Sequence, residues 1–137
     1  MAVTVRQIDY YYANVRDEIG AAYRVLTALA ERGINLLAFT AVPSGPSLAQ
    51  FAIFPEDPRR LEAEAKLAQI PLEGPHHAFL VQGDDELGSI AHVHQELVDA
   101  RIDVYASTGV SDGRGAFGYV VYLRPEDIAK AEAALGL

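Results

Sequence analysis

One segment occurs twice in the chain, and this duplication constrains the fold more than any single motif. The segment Asp17–Val42 returns 68 positions later as Asp85–Val110, with nine identical pairs of residues. A duplication of this kind indicates an architecture in which one supersecondary unit is used twice. We therefore expect a first repeat over residues 1–72 and a second repeat over residues 73–137.

The two copies predict the same order of secondary structure. The first copy predicts a strand Val5–Ala13, a helix Ile19–Arg32, strands Asn35–Val42 and Leu48–Phe54, and a helix from Pro58 to about Gln69. The second copy predicts a strand Ala78–Gln82, a helix Leu87–Ala100, strands Ile102–Val110 and Ala116–Leu123, and a helix from Pro125 to about Leu135. The segment Ile70–His77, with its two prolines and a glycine, is predicted to be a junction. Each repeat is thus β-α-β-β-α, which predicts an α+β protein of two ferredoxin-like repeats, with antiparallel sheets and helices packed on one face.

The amino-acid composition limits the kinds of molecule that the protein is expected to bind. The formal net charge is −8, and an acidic chain is a poor candidate for binding nucleic acid or an anionic lipid surface. The chain has no cysteine, which excludes disulfides, thiolate catalysis and cysteine-bound zinc and agrees with a cytoplasmic location. No apolar run approaches the roughly 20 residues that a membrane helix needs. We expect neither a nucleic-acid partner nor a membrane partner.

The pattern of the two copies resembles the ACT domain. The resemblance is carried by Asp17-Glu18-Ile19-Gly20 with Gly33-Ile34-Asn35, and by Asp85-Glu86-Leu87-Gly88 with Arg101-Ile102-Asp103. It covers nearly the whole chain and implies a tandem ACT protein without a catalytic domain. ACT domains are mostly regulatory modules that bind small molecules, commonly amino acids, between paired domains. The chain departs from the family pattern at Ile19 and Leu87, where the family commonly has proline. Neither repeat shows the last strand of the βαββαβ order, so this strand is either lost or supplied by a neighbour.

The resemblance places a ligand at the loop after the first strand, facing the start of the second strand of a neighbouring unit. The residues implicated are Asp17, Glu18, Ile19, Gly20, Asn35 and Leu37 in the first copy, and Asp85, Glu86, Leu87, Gly88, Asp103 and Tyr105 in the second. Backbone N–H groups at the helix starts suit a carboxylate, and the acidic side chains suit an ammonium group. The same acidic residues also suit ordinary helix capping, so both interpretations remain open. The two copies differ at equivalent positions, Asn35 in the first and Asp103 in the second, and this difference favours the first copy as the one that binds the ligand.

The expected function is a non-catalytic regulatory protein that binds an amino acid and acts on a partner enzyme, as a homodimer by the same resemblance. No cofactor, metal site or catalytic residue is predicted. Two alternatives are a small enzyme on a ferredoxin-like scaffold, with Ser89, Ser107 or the histidines as reactive groups, and a structural subunit without a ligand. His92 and His94 lie about 200° apart around their helix and cannot share a metal, and His94 is expected to be half-buried. Leu37, Phe39, Tyr105 and Ser107 are expected to influence ligand choice.

Overall fold

The computed structural model describes residues 3–84 and 88–137. In chain order the elements are β1 (Val3–Arg16), α1 (Ala21–Glu31), β2 (Leu36–Pro43), β3 (Leu48–Pro55), α2 (Pro58–Leu67), β4 (Glu73–Asp84), α3 (Ser89–Asp99), β5 (Ala106–Ser111), β6 (Ala116–Tyr122), a 3-10 turn (Pro125–Asp127) and α4 (Ile128–Ala134). The described residues form two compact units, one of residues 9–76 and the other of residues 3–8, 77–84 and 88–137. We call them the first unit and the second unit. The boundary between the two sequence repeats, placed between residues 72 and 73, remains a prediction.

The first unit has the strand order β2-β3-β1-β4, with β2–β3 and β1–β3 antiparallel. Its core lies between the sheet and the helices α1 and α2. The core side chains are Tyr11, Ala13, Ala21, Leu29, Ile34, Phe51, Ile53 and Leu61. With residues 73–76 of β4 as the last strand, the unit has the complete βαββαβ order of a ferredoxin-like fold.

The junction predicted at Ile70–His77 is wrong, because β4 already begins at Glu73. Gly74 and Pro75 are turn signals in the sequence, but they lie in a strand. A Cβ atom on Gly74 would lie 3.0 Å from the carbonyl oxygen of Tyr10 and 3.0 Å from the ring of Tyr11. The glycine therefore permits two strands to approach closely, which is another established use of glycine in a sheet.

The second unit has the strand order β1-β4-β6-β5, in which residues 3–8 of β1 are the edge strand. The hydroxyl of Thr4 donates to the carbonyl oxygen of Gln82 at 3.4 Å, and Val3 and Val5 pack against the core. The core includes Phe79, Val81, Val93, Leu97, Ile102, Phe117, Tyr119, Val121, Leu123 and Ala131. The last strand that neither repeat shows in sequence is thus present in both units, as residues 73–76 in the first and residues 3–8 in the second.

Two further element boundaries differ from expectation. The strand predicted from Ile102 begins only at Ala106, because Arg101, at a φ of 58°, turns the chain and Ile102 donates its N–H to Leu97 at the helix end. The helix predicted from Pro125 begins as a 3-10 turn and is α-helical only from Ile128. Among the helices of the described ranges, none is both long and apolar enough to cross a bilayer.

Candidate functional site

An open groove of about 410 Å³ lies in the first unit, between the start of α1 and the β2–β3 hairpin. Its polar end is the loop that joins β1 to α1, and its apolar side is the end of β2 with the beginning of β3. The lining residues are Asp17, Glu18, Gly20, Ala21, Ala22, Tyr23, Ala41, Val42, Pro43, Ala49 and Phe51. The structure therefore brings three of the expected loop residues, Asp17, Glu18 and Gly20, into one cavity.

The start of α1 supplies hydrogen-bond donors to this groove. Gly20 is the N-cap residue with a φ of 86°, a left-handed conformation that favours glycine, and it has no side chain to cap the helix. The N–H of Ala21 donates to the carbonyl of Glu18 at 3.1 Å. Helix geometry leaves the N–H groups of Ala22 and Tyr23 without an acceptor inside the helix. Two donors at the positive end of a helix dipole thus line the groove.

The two loop carboxylates have different surroundings. Glu18 pairs with Arg24 at 2.8 Å, and both side chains are more than half exposed. Asp17 is anchored by its backbone N–H, which donates to the carbonyl of Ser47 at 2.9 Å. Within residues 3–84 and 88–137 its carboxylate has no hydrogen-bond or ion-pair partner. Asp17 is therefore the acceptor that the groove leaves available to a ligand.

The apolar side of the groove is a cross-strand quartet of Ala41, Pro43, Ala49 and Phe51, which we call the apolar wall. Phe51 lies opposite Ala41, and Ala49 lies opposite Pro43, in the antiparallel register of β2 and β3. Directly opposed residues project from the same face of a sheet. Sequence analysis missed this wall, although the helix start and the hairpin register together determine it.

Asn35 and Leu37, expected at the same site, lie away from the groove. Asn35 donates from Nδ2 to Glu56 at 2.9 Å and lines a separate cavity of about 140 Å³ with Asp57 and Arg60. That cavity follows the C-terminal end of α1, whereas the groove lies at its start, and a helix of 11 residues is about 16 Å long. Leu37 lies at a β-bulge, where the register with β3 shifts. The first unit thus does not bring these residues to the loop, and their contact with a ligand across an interface stays a prediction.

The remaining first-copy candidates are also outside the lining of the groove. The side chain of Ile19 is fully exposed to solvent. Phe39 packs instead against the ring of Phe51, with 5.3 Å between ring centroids. It lies beside the apolar wall, on the same face of the sheet as Ala41.

In the second unit, only part of the predicted site can be placed. Asp85, Glu86 and Leu87 lie outside the described residues. Gly88 caps α3 with a φ of 85°, matching Gly20. Asp103 pairs with Arg124 at 3.0 Å, and this hydrogen bond raises the pKa of Arg124. The guanidinium of Arg124 lies 5.9 Å from the ring centroid of Tyr105, so Asp103 and Tyr105 both interact with the same arginine.

The two histidines of α3 have structural partners. His94 is half-buried, as expected, and its Nε2 forms a short hydrogen bond with the hydroxyl of Tyr119. His92 lies 3.3 Å from Glu96, one turn further along α3. In the described part of the chain, no group of three or more histidine and acidic side chains is arranged to hold a metal ion.

The comparisons with known proteins concern the fold. No family model matches the chain, and no curated protein sequence matches it. Protein BT0572 from Bacteroides thetaiotaomicron has a similar structure, with a TM-score of 0.79 and 15% identity over 96% of this chain and 88% of that one. The ligand-free regulatory subunit of aspartate kinase from Thermus thermophilus gives a TM-score of 0.59 and 22% identity over 98% and 94%. The corresponding subunit from Thermus flavus gives 0.57 and 22% over 99% and 95%.

Identities of this size establish the fold and nothing more specific. The predicted α+β, ferredoxin-like class is confirmed, since both units have the same spatial order of strands and similar structures cover almost the whole chain. The first unit follows the βαββαβ chain order, whereas in the second unit residues 3–8 take the place of the last strand. The chain has an ACT-like fold that is similar to the fold of aspartate kinase regulatory subunits.

Proposed function

We propose that this protein binds a free amino acid in the first-unit groove and, without catalysing a reaction, regulates a partner. The observation that carries the proposal is the composition of that groove. Helix N–H donors, a carboxylate without a partner and an apolar wall line a single open cavity. These three features match the carboxylate, the ammonium group and the side chain of an amino acid.

The polar groups can hold both ends of a zwitterion. The ligand carboxylate would accept hydrogen bonds from the N–H groups of Ala22 and Tyr23, where the helix dipole also favours an anion. The ligand ammonium would lie against Asp17, whose carboxylate sits at the same end of the groove. Glu18 is already paired with Arg24 and contributes less negative charge. A phosphate would carry more charge than the two amides neutralise and would be repelled by Asp17.

The regulatory role is supported by the similar fold of aspartate kinase regulatory subunits. The proposal includes a partner enzyme, action in the cytoplasm and a homodimer. A dimer agrees with the apolar surface beside the groove, where Ile19 is fully exposed and Tyr23 is 73% exposed. In a dimer, the Asn35 of one copy would be available to the groove of another, which is the arrangement that the sequence resemblance implies.

A thermal-shift panel of the twenty amino acids tests this function. A ligand at 100 times its Kd stabilises the folded state by about 2.7 kcal/mol, which gives a readily measured rise in Tm. Asp17→Asn should remove most of this shift because it removes the charge that faces the ammonium group. Asp99→Asn is the matched control, since Asp99 is an exposed residue at the end of α3. The proposal is wrong if no amino acid raises the Tm of the wild-type protein.

A second candidate function, an enzyme on the same scaffold, rests on one observation. Ser89, His92 and Glu96 line one cavity of about 270 Å³ in the second unit, and His92 is paired with Glu96. A serine, a histidine and a carboxylate are the components of an activated nucleophile. Ser89 is only 5% exposed, which restricts access to its hydroxyl. Labelling of the intact protein by a serine-directed fluorophosphonate, lost in Ser89→Ala, would support this function, and no labelling would exclude it.

A further inference from the structure

The two units carry the same hairpin geometry at corresponding positions. In the first unit Phe51 lies opposite Ala41, and Ala49 lies opposite Pro43. In the second unit Tyr119 lies opposite Gly109, and Phe117 lies opposite Ser111, each 68 residues further along the chain. The helix before each hairpin begins after a glycine of nearly the same conformation, with φ values of 86° and 85°. The apolar wall of the first unit therefore has a direct counterpart in the second unit.

Among the described residues of the second unit, larger side chains stand at the two β6 positions of the counterpart. Phe117 takes the place of Ala49, is only 7% exposed and belongs to the core together with Val93 and Leu97. A phenyl ring there occupies the space that the small Ala49 leaves open in the first unit.

The neighbouring pair closes the same region further. The ring of Tyr119 lies so close to Gly109 that a Cβ atom on the glycine would be 2.8 Å from its Cδ1. The hydroxyl of Tyr119 is held by His94 on α3, whereas the first unit has Leu26 at that position and Phe51 in place of the tyrosine. The hydrogen bond between helix and sheet fixes the ring over the edge strand.

We infer that each chain binds one ligand, in the first unit, and that the ligand is an amino acid with an apolar side chain. This inference rests on the proposed function and specifies the number of sites and the ligand class. The ligand side chain lies on the apolar wall, where Ala41, Pro43 and Ala49 are small enough to leave room for it. An acidic side chain is disfavoured because Asp17 and Glu18 line the opposite side of the same groove.

Isothermal titration calorimetry of the full chain tests the number of sites and the ligand class. The probes are valine, leucine, isoleucine and phenylalanine, with aspartate and glutamate for comparison. We expect saturation at one ligand per chain, and tighter binding of at least one apolar amino acid than of either acidic one. Two ligands per chain, or tighter binding of an acidic amino acid, would overturn the inference while leaving amino-acid binding intact. Absence of binding by every amino acid would overturn the proposed function itself.

Two substitutions test the position of the ligand. Ala49→Phe copies the residue of the second unit and should weaken binding by about fivefold to 150-fold, since overpacking of about 1–3 kcal/mol corresponds to that change in affinity. Leu48→Phe is the matched control, because the adjacent residue projects from the other face of β3. Ala41→Phe gives a second obstruction at an exposed edge-strand position, where folding tolerates the added ring. Unchanged affinity in a folded Ala49→Phe or Ala41→Phe variant, checked by circular dichroism, would overturn the inference.

Discussion

The bond between Tyr11 and Glu62 allows a quantitative test of how α2 is held on the sheet of the first unit. Tyr11 is only 2% exposed, and its hydroxyl donates to a carboxylate oxygen of Glu62. Tyr11→Phe keeps the ring and removes the donor. A hydrogen bond to a charged group contributes about 1.5–3 kcal/mol, and the lower value applies because the exposed Glu62 can recover water. We expect a loss of about 1.5 kcal/mol, or a fall in Tm of about 5 °C for a chain of this size.

The pH dependence of this bond provides a second readout. Burial and the neighbouring Glu62 raise the pKa of Tyr11 above its ordinary value of 10.0. Because the folded state favours the protonated phenol, the stabilisation is fully present below the pKa of the unfolded chain and is lost as pH rises above it. Denaturant unfolding at pH 8 should therefore separate wild type from Tyr11→Phe, and the separation should shrink above pH 10.

Tyr12→Phe serves as the control, since Tyr12 is the next residue and contributes ring contacts to Tyr10 and His76. Its loss of stability should stay within about 0.5 kcal/mol. A Tyr11→Phe variant as stable as wild type at pH 8, or a difference between the two proteins that does not change with pH, would contradict a stabilising bond from Tyr11 to Glu62.

Three further predictions concern the groove and its counterpart. Gly109→Ala should cost about 1–3 kcal/mol in unfolding experiments, because its Cβ would meet the ring of Tyr119, whereas Gly118→Ala in the neighbouring strand meets nothing within 4 Å and should cost much less. His94→Leu leaves the hydroxyl of Tyr119 buried without its partner and should lower the free energy of unfolding by about 1–3 kcal/mol. The double variant His94→Leu/Tyr119→Phe should recover most of this loss, and equal stability of the single and double variants would contradict the prediction. Asn35→Ala should lower amino-acid affinity only in a protein that dimerises, and an unchanged affinity in the dimer would show that Asn35 serves only its bond to Glu56.

Local patterns in the sequence were sufficient for the order of the elements. The first helix, predicted over Ile19–Arg32, is observed over Ala21–Glu31, and the two hairpins fall between the strands that were predicted on either side of them. The loop at Asp17–Gly20 was also predictable, because it follows from where a strand ends and a helix begins. These features depend on residues that are close in sequence, so periodicity and turn chemistry suffice to predict them.

The origin of the last strands could not be predicted in this way. Residues 3–8 join a unit whose other strands begin some 70 positions later. Gly74 is a residue type that is common in turns, although it lies in β4. Pairing between distant segments depends on which edges remain open after the rest has folded, and no local pattern carries that information. The separation of Asn35 from the groove has a local origin instead, since the length of α1 lies between them.

The duplicated sequence predicts that one unit occurs twice, that each copy has a glycine at the start of its first helix, and that the copies have diverged. The consequence of that divergence is visible only in the folded protein. Ala49 and Phe117, 68 positions apart, are both ordinary strand residues in sequence, and the antiparallel register shows which residue each of them faces. A groove is a property of the space between elements, so its presence in the first unit depends on side-chain volume at positions that only folding brings together.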